Sequence, residues 1–249
     1  TVNIFILDNN PVKAAEYHCN KHVVKMILES AQMLCTAHWS HLEKDINNRK
    51  QKVASFKRLR DRFAYIKENS NPDLHPPWKM THVTHPCTLW TSLNYSNYMW
   101  HSQLGLALCN EYEKRYKRVH KSKVVHEWLR DHPPLGIDIA PKTEFAIAIN
   151  DEELKVLDFK NERKIFIADI KKLALTFFNR TGKILNVEGN DIDMTLMKQD
   201  FIRFVPFDAV ASYRNYYVKR KSHFAKWEPK TKTPEWYTKQ LNEVANGKQ

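Results

Sequence analysis

Two histidines and a cysteine lie within five residues near the start of the chain, in the segment YHCNKHVVKM. His18 and His22 are spaced to share one face of a helix, and imidazole and thiolate groups are ligands that Zn²⁺ prefers. The neighbouring Lys21 and Lys25 suit contact with phosphate groups instead. The segment is therefore compatible with half of a zinc site, a nucleic-acid contact surface, or the edge of an active site.

Polar side chains continue from this segment at helical spacing. They follow one another in steps of three or four residues: His18, His22, Lys25, Glu29, Gln32 and Thr36. A polar stripe beside apolar positions is either a solvated helix face or one wall of a cleft. Two histidines within the stripe favour the cleft, because solvated faces consist mostly of lysine and glutamate.

A zinc site would need more ligands, and His82, His85 and Cys87 offer them. However, the HxxxH segment lacks the adjacent glutamate of the metalloprotease motif, and the chain has no deaminase-type PCxxC motif. We therefore predict no metal site. The chain also lacks the Walker, dinucleotide-binding and GxSxG motifs, and it has only five glycines. We predict no cofactor.

The loop THVTHP follows a proline-rich stretch and carries His82, Thr84 and His85. Proline limits the conformations of such a loop, and these side chains could hold a flipped nucleotide or its phosphate. Histidine before proline is also common in surface turns, so a purely structural loop is the alternative.

A further chemical group is the amine of Thr1. If an initiator methionine has been removed, this amine has an unperturbed pKa of about 7.7 to 8.0 and is partly neutral at physiological pH. A neutral amine attacks carbon to form imines. Routine trimming before a small residue is the alternative explanation.

The composition indicates which partners these groups would meet. The chain has 249 residues, of which 42% are hydrophobic, and 40 basic residues exceed 28 acidic ones to give a formal net charge of +12. Such a chain can bury a full core, and its charge favours a polyanionic partner. The cysteines have no CxxC spacing, and no apolar run suits a membrane span. We expect a soluble cytoplasmic protein with free thiols, in the host cytoplasm if phage-encoded.

The apolar periodicity predicts a mainly α-helical fold. The segment VNIFILD is expected to form a short strand or extended segment, followed by one long helix over residues 12–41, capped by Asn9 or Asn10. Residues 43–70 read as a polar connection that leads into a basic helix, and prolines exclude a regular helix over residues 71–87. A second long helix is predicted over residues 88–119.

The C-terminal half has a different character. Ten acidic and ten basic residues balance between residues 151 and 205, and we expect residues 144–205 to be a small α/β insertion, with a strand and then a helix ending at Gly182. Residues 1–143 would form the helical core. The last helix is predicted to begin near Phe207, and the basic, aromatic residues 206–249 would pack on the core or contact bases and phosphates.

Two segments together resemble phage proteins and, more distantly, the pyrimidine-dimer DNA glycosylase superfamily. They are NNPVKAAEYHCNKHVVKMILESAQML and THPCTLWTSLNYSNYMWHSQLGLALCNEYEKRYKRVHKS. The residues that match the family pattern are Lys21, His22, Lys25, Glu29, His85, Pro86, Trp90, Cys109, Glu111, Tyr112 and Arg115. The resemblance covers roughly residues 1–120 and does not include residues 144–205.

The resemblance implies a helical enzyme that binds and bends duplex DNA, flips a nucleotide, and excises its base with an accompanying lyase step. In the family, an N-terminal threonine amine attacks the sugar C1′ and a glutamate on the first helix assists. Thr1 matches the nucleophile. His22 stands where the family has its acid and Glu29 follows two turns later, so we expect these two to divide the acid and base roles.

The resulting hypothesis assigns the remaining residues to two groups. The substrate contacts would be His18, Lys21, Lys25, His82, His85 and Asn94. The DNA backbone contacts would be Arg58, Arg60, Arg62, Arg115, Arg118, Arg214, Lys219, Arg220 and Lys221. Duplex DNA is the expected partner, without an obligate protein partner. Two alternatives stay open: an enzyme that modifies a base or nucleotide without excising it, and a non-catalytic DNA-binding protein.

Overall fold

The structure is a computed structural model that describes residues 2–149 and 208–247, together with the backbone of short strands between residues 155 and 192. Helices dominate the described chain: α1 (Pro11–Tyr17), α2 (Asn20–Lys50), α3 (Leu59–Asn69), α4 (Pro86–Leu93), α5 (Tyr95–Tyr116), α6 (Lys123–Asp131), α7 (Ala209–Tyr216) and α8 (Glu235–Ala245). A 3₁₀ turn spans Pro72–Leu74, and a π-helical turn spans Tyr217–Lys221. The prediction of a mainly α-helical fold is confirmed.

The chain divides into two compact units. The first unit contains Thr1–Ala148 and Phe224–Pro234, and the second contains Ile149–His223 and Glu235–Gln249. The first boundary lies close to the predicted one at residue 143. The predicted C-terminal region does not stay together, because its residues 224–234 belong to the first unit.

The long helices α2 and α5 form the centre of the first unit, and α1, α4 and α6 pack against them. One buried cluster joins α2, α5 and α6 to the loop after α6: Ala31, Leu34, Cys35, Ala37, Tyr98, Val125, Leu129 and Ile137. A second cluster joins α2 to α3 and the proline-rich loop: Trp39, Leu42, Ile46, Ile66 and Met80. Burying these apolar side chains is the main source of stability for the helices.

The first helical segment differs from its prediction, because it breaks into α1 and α2. Asn10 caps α1 as expected, and its side chain accepts hydrogen bonds from the amides of Val12 and Lys13. At the break, His18 and Cys19 have extended backbones, with ψ angles of 133° and 159°. Helix α2 then continues to Lys50, beyond the predicted end at residue 41.

Distant residues satisfy the backbone carbonyls that this break exposes. Arg115 donates hydrogen bonds to the carbonyls of Glu16 and His18, at 2.9 and 2.7 Å. The indole of Trp227 donates to the carbonyl of Tyr17 at 3.1 Å. Because a broken helix needs such partners, these tertiary contacts are the physical reason why a local periodicity could not reveal the break.

The second predicted long helix also breaks, here at Asn94. This residue has an extended backbone, with φ and ψ of −154° and 168°, and its side chain caps α5 by accepting a hydrogen bond from the amide of Asn97. An asparagine side chain that bonds nearby backbone competes with helix continuation. The periodicity therefore predicted the helical content correctly and the continuity wrongly.

The remaining segments can be compared briefly with their predictions. Residues 2–6 form neither a helix nor a strand, yet residues 3–7 are buried. The basic helix after residue 43 is confirmed as α3. Helices α6 and α8 were not predicted. Among the described residues, no helix is sufficiently long and apolar to cross a membrane.

The second unit contains two short antiparallel strand pairs besides α7 and α8. Strand β1 (Lys155–Asp158) pairs with β2 (Arg163–Phe166), so that Lys155 faces Phe166. Strand β3 (Ile184–Leu185) pairs with β4 (Asp191–Ile192). The strand predicted within residues 144–205 corresponds to β2, and the helix predicted to end at Gly182 lies outside the described residues.

Candidate active site on helix α2

Glu29 is a buried carboxylate on α2, with 7% of its surface exposed. Its Oε1 atom forms an ion pair with the amine of Lys25 at 3.1 Å. Its Oε2 atom is buried and has no hydrogen-bond partner among the described residues. Buried carboxylate oxygens normally accept hydrogen bonds. The Oε2 atom of Glu29 is therefore available to accept one from a group that is not among the described residues.

The proline-rich loop lies against α2 near this carboxylate. The hydroxyl of Thr36 donates to the carbonyl of Thr81 at 2.7 Å, and the amide of Thr81 donates back at 3.0 Å. The indole of Trp39 donates to the carbonyl of Trp78 at 2.7 Å. These contacts fix the loop on α2 and thereby position the histidines that follow Thr81.

The histidine loop, which contains His82 and His85, has a constrained backbone. His82 has a φ angle of 51°, a left-handed conformation that is uncommon for residues other than glycine. Its carbonyl accepts a hydrogen bond from the amide of His85 at 3.1 Å. Residues held in such conformations concentrate at functional sites.

His85 links the loop, the start of the chain and Glu29. Its Nδ1 atom accepts a hydrogen bond from the amide of Cys87 at 3.2 Å and thereby caps α4. The backbone of Val2 lies close enough to the imidazole to raise its pKa. Burial lowers the pKa of His85, and the nearby charge of Glu29 opposes this change. Since Nδ1 accepts, the proton of the neutral ring lies on Nε2.

Lys25 pairs with Glu29, and the charges of His82 and Glu29 both influence the pKa of His85; we name these four residues the carboxylate–histidine cluster. Lys25 and Glu29 belong to the polar stripe on α2, and the two histidines belong to the THVTHP motif; their assignment to a functional site stays a prediction. The predicted nucleophile, Thr1, lies outside the described residues. Its neighbour Val2 lies near His85 and raises the pKa of that histidine.

The other predicted histidines belong to a different environment. His18 ends α1, is fully buried, and donates from Nδ1 to the carbonyl of Ala14 at 2.6 Å. Burial lowers its pKa to about 4, so the ring is neutral at pH 7. The prediction that His18 contacts substrate is wrong, because its side chain has no exposed surface in the fold.

His22 lies on α2, but its ring is packed among aromatic side chains. It stacks on Phe5 with a centroid distance of 4.4 Å and an interplanar angle of 15°, and the ring of Phe224 meets it edge-on at 5.4 Å. His22 and Glu29 are separated by two helical turns, or about 10 Å along the axis. The observed packing gives His22 a structural role, and Glu29 is grouped with His85 instead.

Two further predicted substrate contacts have separate outcomes. Lys21 is exposed, and its amine lies 4.6 Å from the centre of the Phe224 ring. Asn94 is buried and uses its side chain to cap α5 and to donate to the carbonyl of Pro141 at 3.2 Å. The assignment of Asn94 to the substrate site is therefore wrong, because its polar atoms serve the fold.

The predicted backbone contacts also separate by burial. Arg115 has 3% exposure and forms an ion pair with Glu111 at 2.9 Å, so its prediction as a DNA contact is wrong. Arg62 is only partly exposed. Its Nε atom donates to both carboxylate oxygens of Glu43, at 2.9 and 3.1 Å. Arg58, Arg60 and Arg118 are exposed in the first unit. The second unit carries Arg214, Lys219, Arg220 and Lys221.

The proposed zinc ligands do not converge. Among the described residues, no group of three histidine, cysteine or acidic side chains is arranged to hold a metal ion. The rings of His18 and His22 are 6.5 Å apart between centroids. All four cysteines are buried without a disulfide bond, and the thiol of Cys87 donates to the side-chain oxygen of Asn3 at 3.6 Å.

Sequence reasoning missed two residues that shape this region, Phe5 and Phe224. Phe224 approaches His22 from a segment two hundred residues later in the chain, and no local pattern could connect them. Phe5 was recognisable only as part of an apolar run.

In the carboxylate–histidine cluster, a carboxylate with an unused oxygen, a neighbouring amine and a neutral imidazole can together accept, hold and return protons.

Comparison of the chain with protein-family models, with curated proteins and with solved structures finds no match. The resemblance to the pyrimidine-dimer DNA glycosylases therefore stays a prediction from sequence motifs.

Proposed function

We propose that this protein is a DNA-processing enzyme that removes a base and then cleaves the strand through an imine, with Glu29 as its acid and base. The single observation that supports the proposal most directly is the buried Oε2 atom of Glu29, which has no partner among the described residues. A carboxylate in this state is suited to take a proton from substrate, because burial strengthens its interactions.

The proposed reaction begins when a neutral amine attacks C1′ of a deoxyribose. A bond forms between the amine nitrogen and C1′, the bond from C1′ to the base breaks, and the base leaves with a proton. Opening of the sugar ring gives an imine. Glu29 then takes a proton from C2′, the 3′ phosphate leaves as the C3′–O bond breaks, and water later releases the amine.

Two amines are candidates for the nucleophile. One is the amine of Thr1 in a chain that begins at that residue, because its neighbour Val2 lies near His85. The other is Lys25, whose amine lies 3.1 Å from Glu29. The resemblance favours Thr1, and the two are separated by blocking each amine in turn.

Borohydride trapping on duplex DNA that contains an abasic site tests the reaction itself. We expect a covalent protein–DNA adduct, and digestion followed by mass spectrometry should place it on Thr1 or Lys25. Extending the chain by one residue blocks the first amine, and Lys25→Arg removes the second as a nucleophile while keeping its charge. Absence of any adduct on abasic and base-modified duplexes would exclude the imine reaction.

Glu29→Gln tests the assigned acid and base. We expect turnover to fall by about 10²- to 10⁴-fold, with little change in DNA affinity, since affinity depends mainly on phosphate neutralisation. Asp45→Asn is the matched control, because Asp45 is a half-exposed carboxylate on α2 that pairs with Arg49 at 2.9 Å. Full turnover by Glu29→Gln would remove Glu29 from the mechanism.

A further inference from the structure

The start of α2 is where the C-terminal segment of the first unit is attached. The amide of Asn20 donates to the carbonyl of Lys226 at 2.8 Å, and its side chain donates to the carbonyl of Trp227 at 2.9 Å. The hydroxyl of Tyr116, at the end of α5, donates to the carbonyl of Asn20 at 3.3 Å. Three separate segments therefore meet at this end of α2.

Each of these segments holds an exposed cation against an aromatic ring. Lys21 lies over Phe224 at 4.6 Å, and Lys230 lies over Tyr116 at 5.6 Å. The Nε atom of Arg118 donates to the hydroxyl of Tyr112 at 2.8 Å. Such contacts restrict long basic side chains, so less conformational entropy is lost when they bind a ligand.

Two acidic residues near these cations are already paired with other basic residues. Glu111 pairs with the buried Arg115 at 2.9 Å, and Glu113 pairs with Lys123 at 2.9 Å. The exposed lysines at positions 117, 121 and 226 add further positive charge. The surface around Lys21, Lys230 and Arg118, which we name the cationic track, therefore carries an excess of positive charge.

The cationic track leads along α2 toward the carboxylate–histidine cluster. Lys21, Lys25 and Glu29 follow one another in steps of four residues, so they share one face of the helix. Asn20 and Glu29 are nine residues apart, which is about 13 Å along the axis. This distance corresponds to about four base-pair rises of 3.4 Å.

We propose that the cationic track binds the phosphate backbone of duplex DNA about four base pairs to one side of the nucleotide that reaches Glu29. The inference rests on the proposed function for the position of the reacting nucleotide. It adds a definite footprint: affinity depends on one arm of the duplex more than on the other.

A set of duplexes with an abasic site at three, six or ten base pairs from either end tests the footprint. Fluorescence anisotropy at several salt concentrations measures their affinity. For the protein without substitutions, we expect shortening of one arm from six to three base pairs to weaken binding about tenfold, while shortening of the other has a smaller effect. Equal dependence on both arms would overturn the asymmetric footprint.

The double variant Arg118→Glu with Lys230→Glu tests the residues. We expect about tenfold weaker binding to the long duplex, a salt dependence reduced by about two phosphate contacts, and no further loss when the sensitive arm is shortened. Lys230→Gln alone leaves the hydrogen bond between Arg118 and Tyr112 intact and should give part of the loss of DNA affinity. Lys67→Glu, on the exposed side of α3, changes the net charge by two units and is therefore compared with Lys230→Glu alone.

These outcomes separate the track from the reaction. If Lys67→Glu weakens binding as much as Lys230→Glu alone, the track has no special role and the proposal is overturned. If borohydride trapping fails on every duplex while the arm dependence and the variant effects persist, the track stands and the excision reaction falls.

Discussion

Two pairs of histidines, both suggested by the sequence as reactive, have opposite environments in the structure. His18 and His22 lie at the start of α2, where one is fully buried and the other is stacked on Phe5. His82 and His85 lie in the loop before α4, where both are partly exposed and His85 senses the charge of Glu29. Spacing alone does not show which histidines are buried, whereas the structure places His18 and His22 in the core and His82 and His85 at partly exposed positions.

The tautomers sharpen this contrast. His18 donates from Nδ1 to a backbone carbonyl, so its unprotonated Nε2 faces the interior, where it has no partner among the described residues. His85 accepts at Nδ1, so the proton of its neutral ring lies on Nε2. The first ring supports a helix break, and the second is placed where protons can be exchanged.

The largest expected effect is loss of stability in acid. Burial lowers the pKa of His18 and His126 to about 4, and that of His38 and His101 to about 3. Each is below the unfolded value of about 6.5, so the unfolded chain binds more protons. Stability is therefore present above pH 6.5 and is lost as the pH falls toward 4, with a slope that approaches about 5 kcal/mol per pH unit for four histidines.

Urea unfolding at a series of pH values measures that slope. His18→Asn keeps a donor for the carbonyl of Ala14 and removes the titrating ring, so it should lower the slope by about 1.4 kcal/mol per pH unit. His85→Asn should change the slope less, because His85 is only partly buried. An unchanged slope in His18→Asn would show that His18 does not titrate on unfolding.

An intermediate effect is expected on turnover when the histidine loop is changed. Asparagine at position 85 can still cap α4, so His85→Asn should fold normally and remove only the imidazole beside Glu29. We expect single-turnover strand cleavage to slow by about 10- to 100-fold. His132→Asn is the matched control, because His132 is an exposed histidine at the end of α6 and lies outside the carboxylate–histidine cluster. Cleavage at the normal rate in His85→Asn would assign this histidine to the fold alone.

The smallest effect is expected for His22→Phe. Phenylalanine can keep the stacking on Phe5 and the edge contact with Phe224, so turnover should stay within about threefold of the original value, as for a conservative packing change. The same single-turnover assay measures it. A loss of more than about 100-fold, with an unchanged melting temperature, would restore His22 as an acid or base.

The sequence allowed prediction of much of the helical content and of the residues that form the cluster. Lys25 and Glu29 followed from helical spacing, and His82 and His85 followed from a proline-bounded motif. Both depend on interactions between residues that are close in sequence, and such interactions leave a local pattern.

The sequence did not allow prediction of the helix breaks or of the burial of Arg115. Arg115 is a basic residue in a strongly basic segment, and only its contacts with Glu111 and the carbonyls before α2 remove it from the surface. Asn94 was similarly ambiguous, because an asparagine that caps a helix and one that binds substrate look alike in sequence. In each case the deciding partner is distant in the chain.

The attachment of residues 224–234 to the first unit has a consequence for the order in which the protein matures during synthesis. Trp227 is 1% exposed and bonds the carbonyl of Tyr17, which left the ribosome some two hundred residues earlier. Such long-range contacts form late. We expect the nascent chain to carry α2 with its first turn uncovered until residues 224–234 emerge.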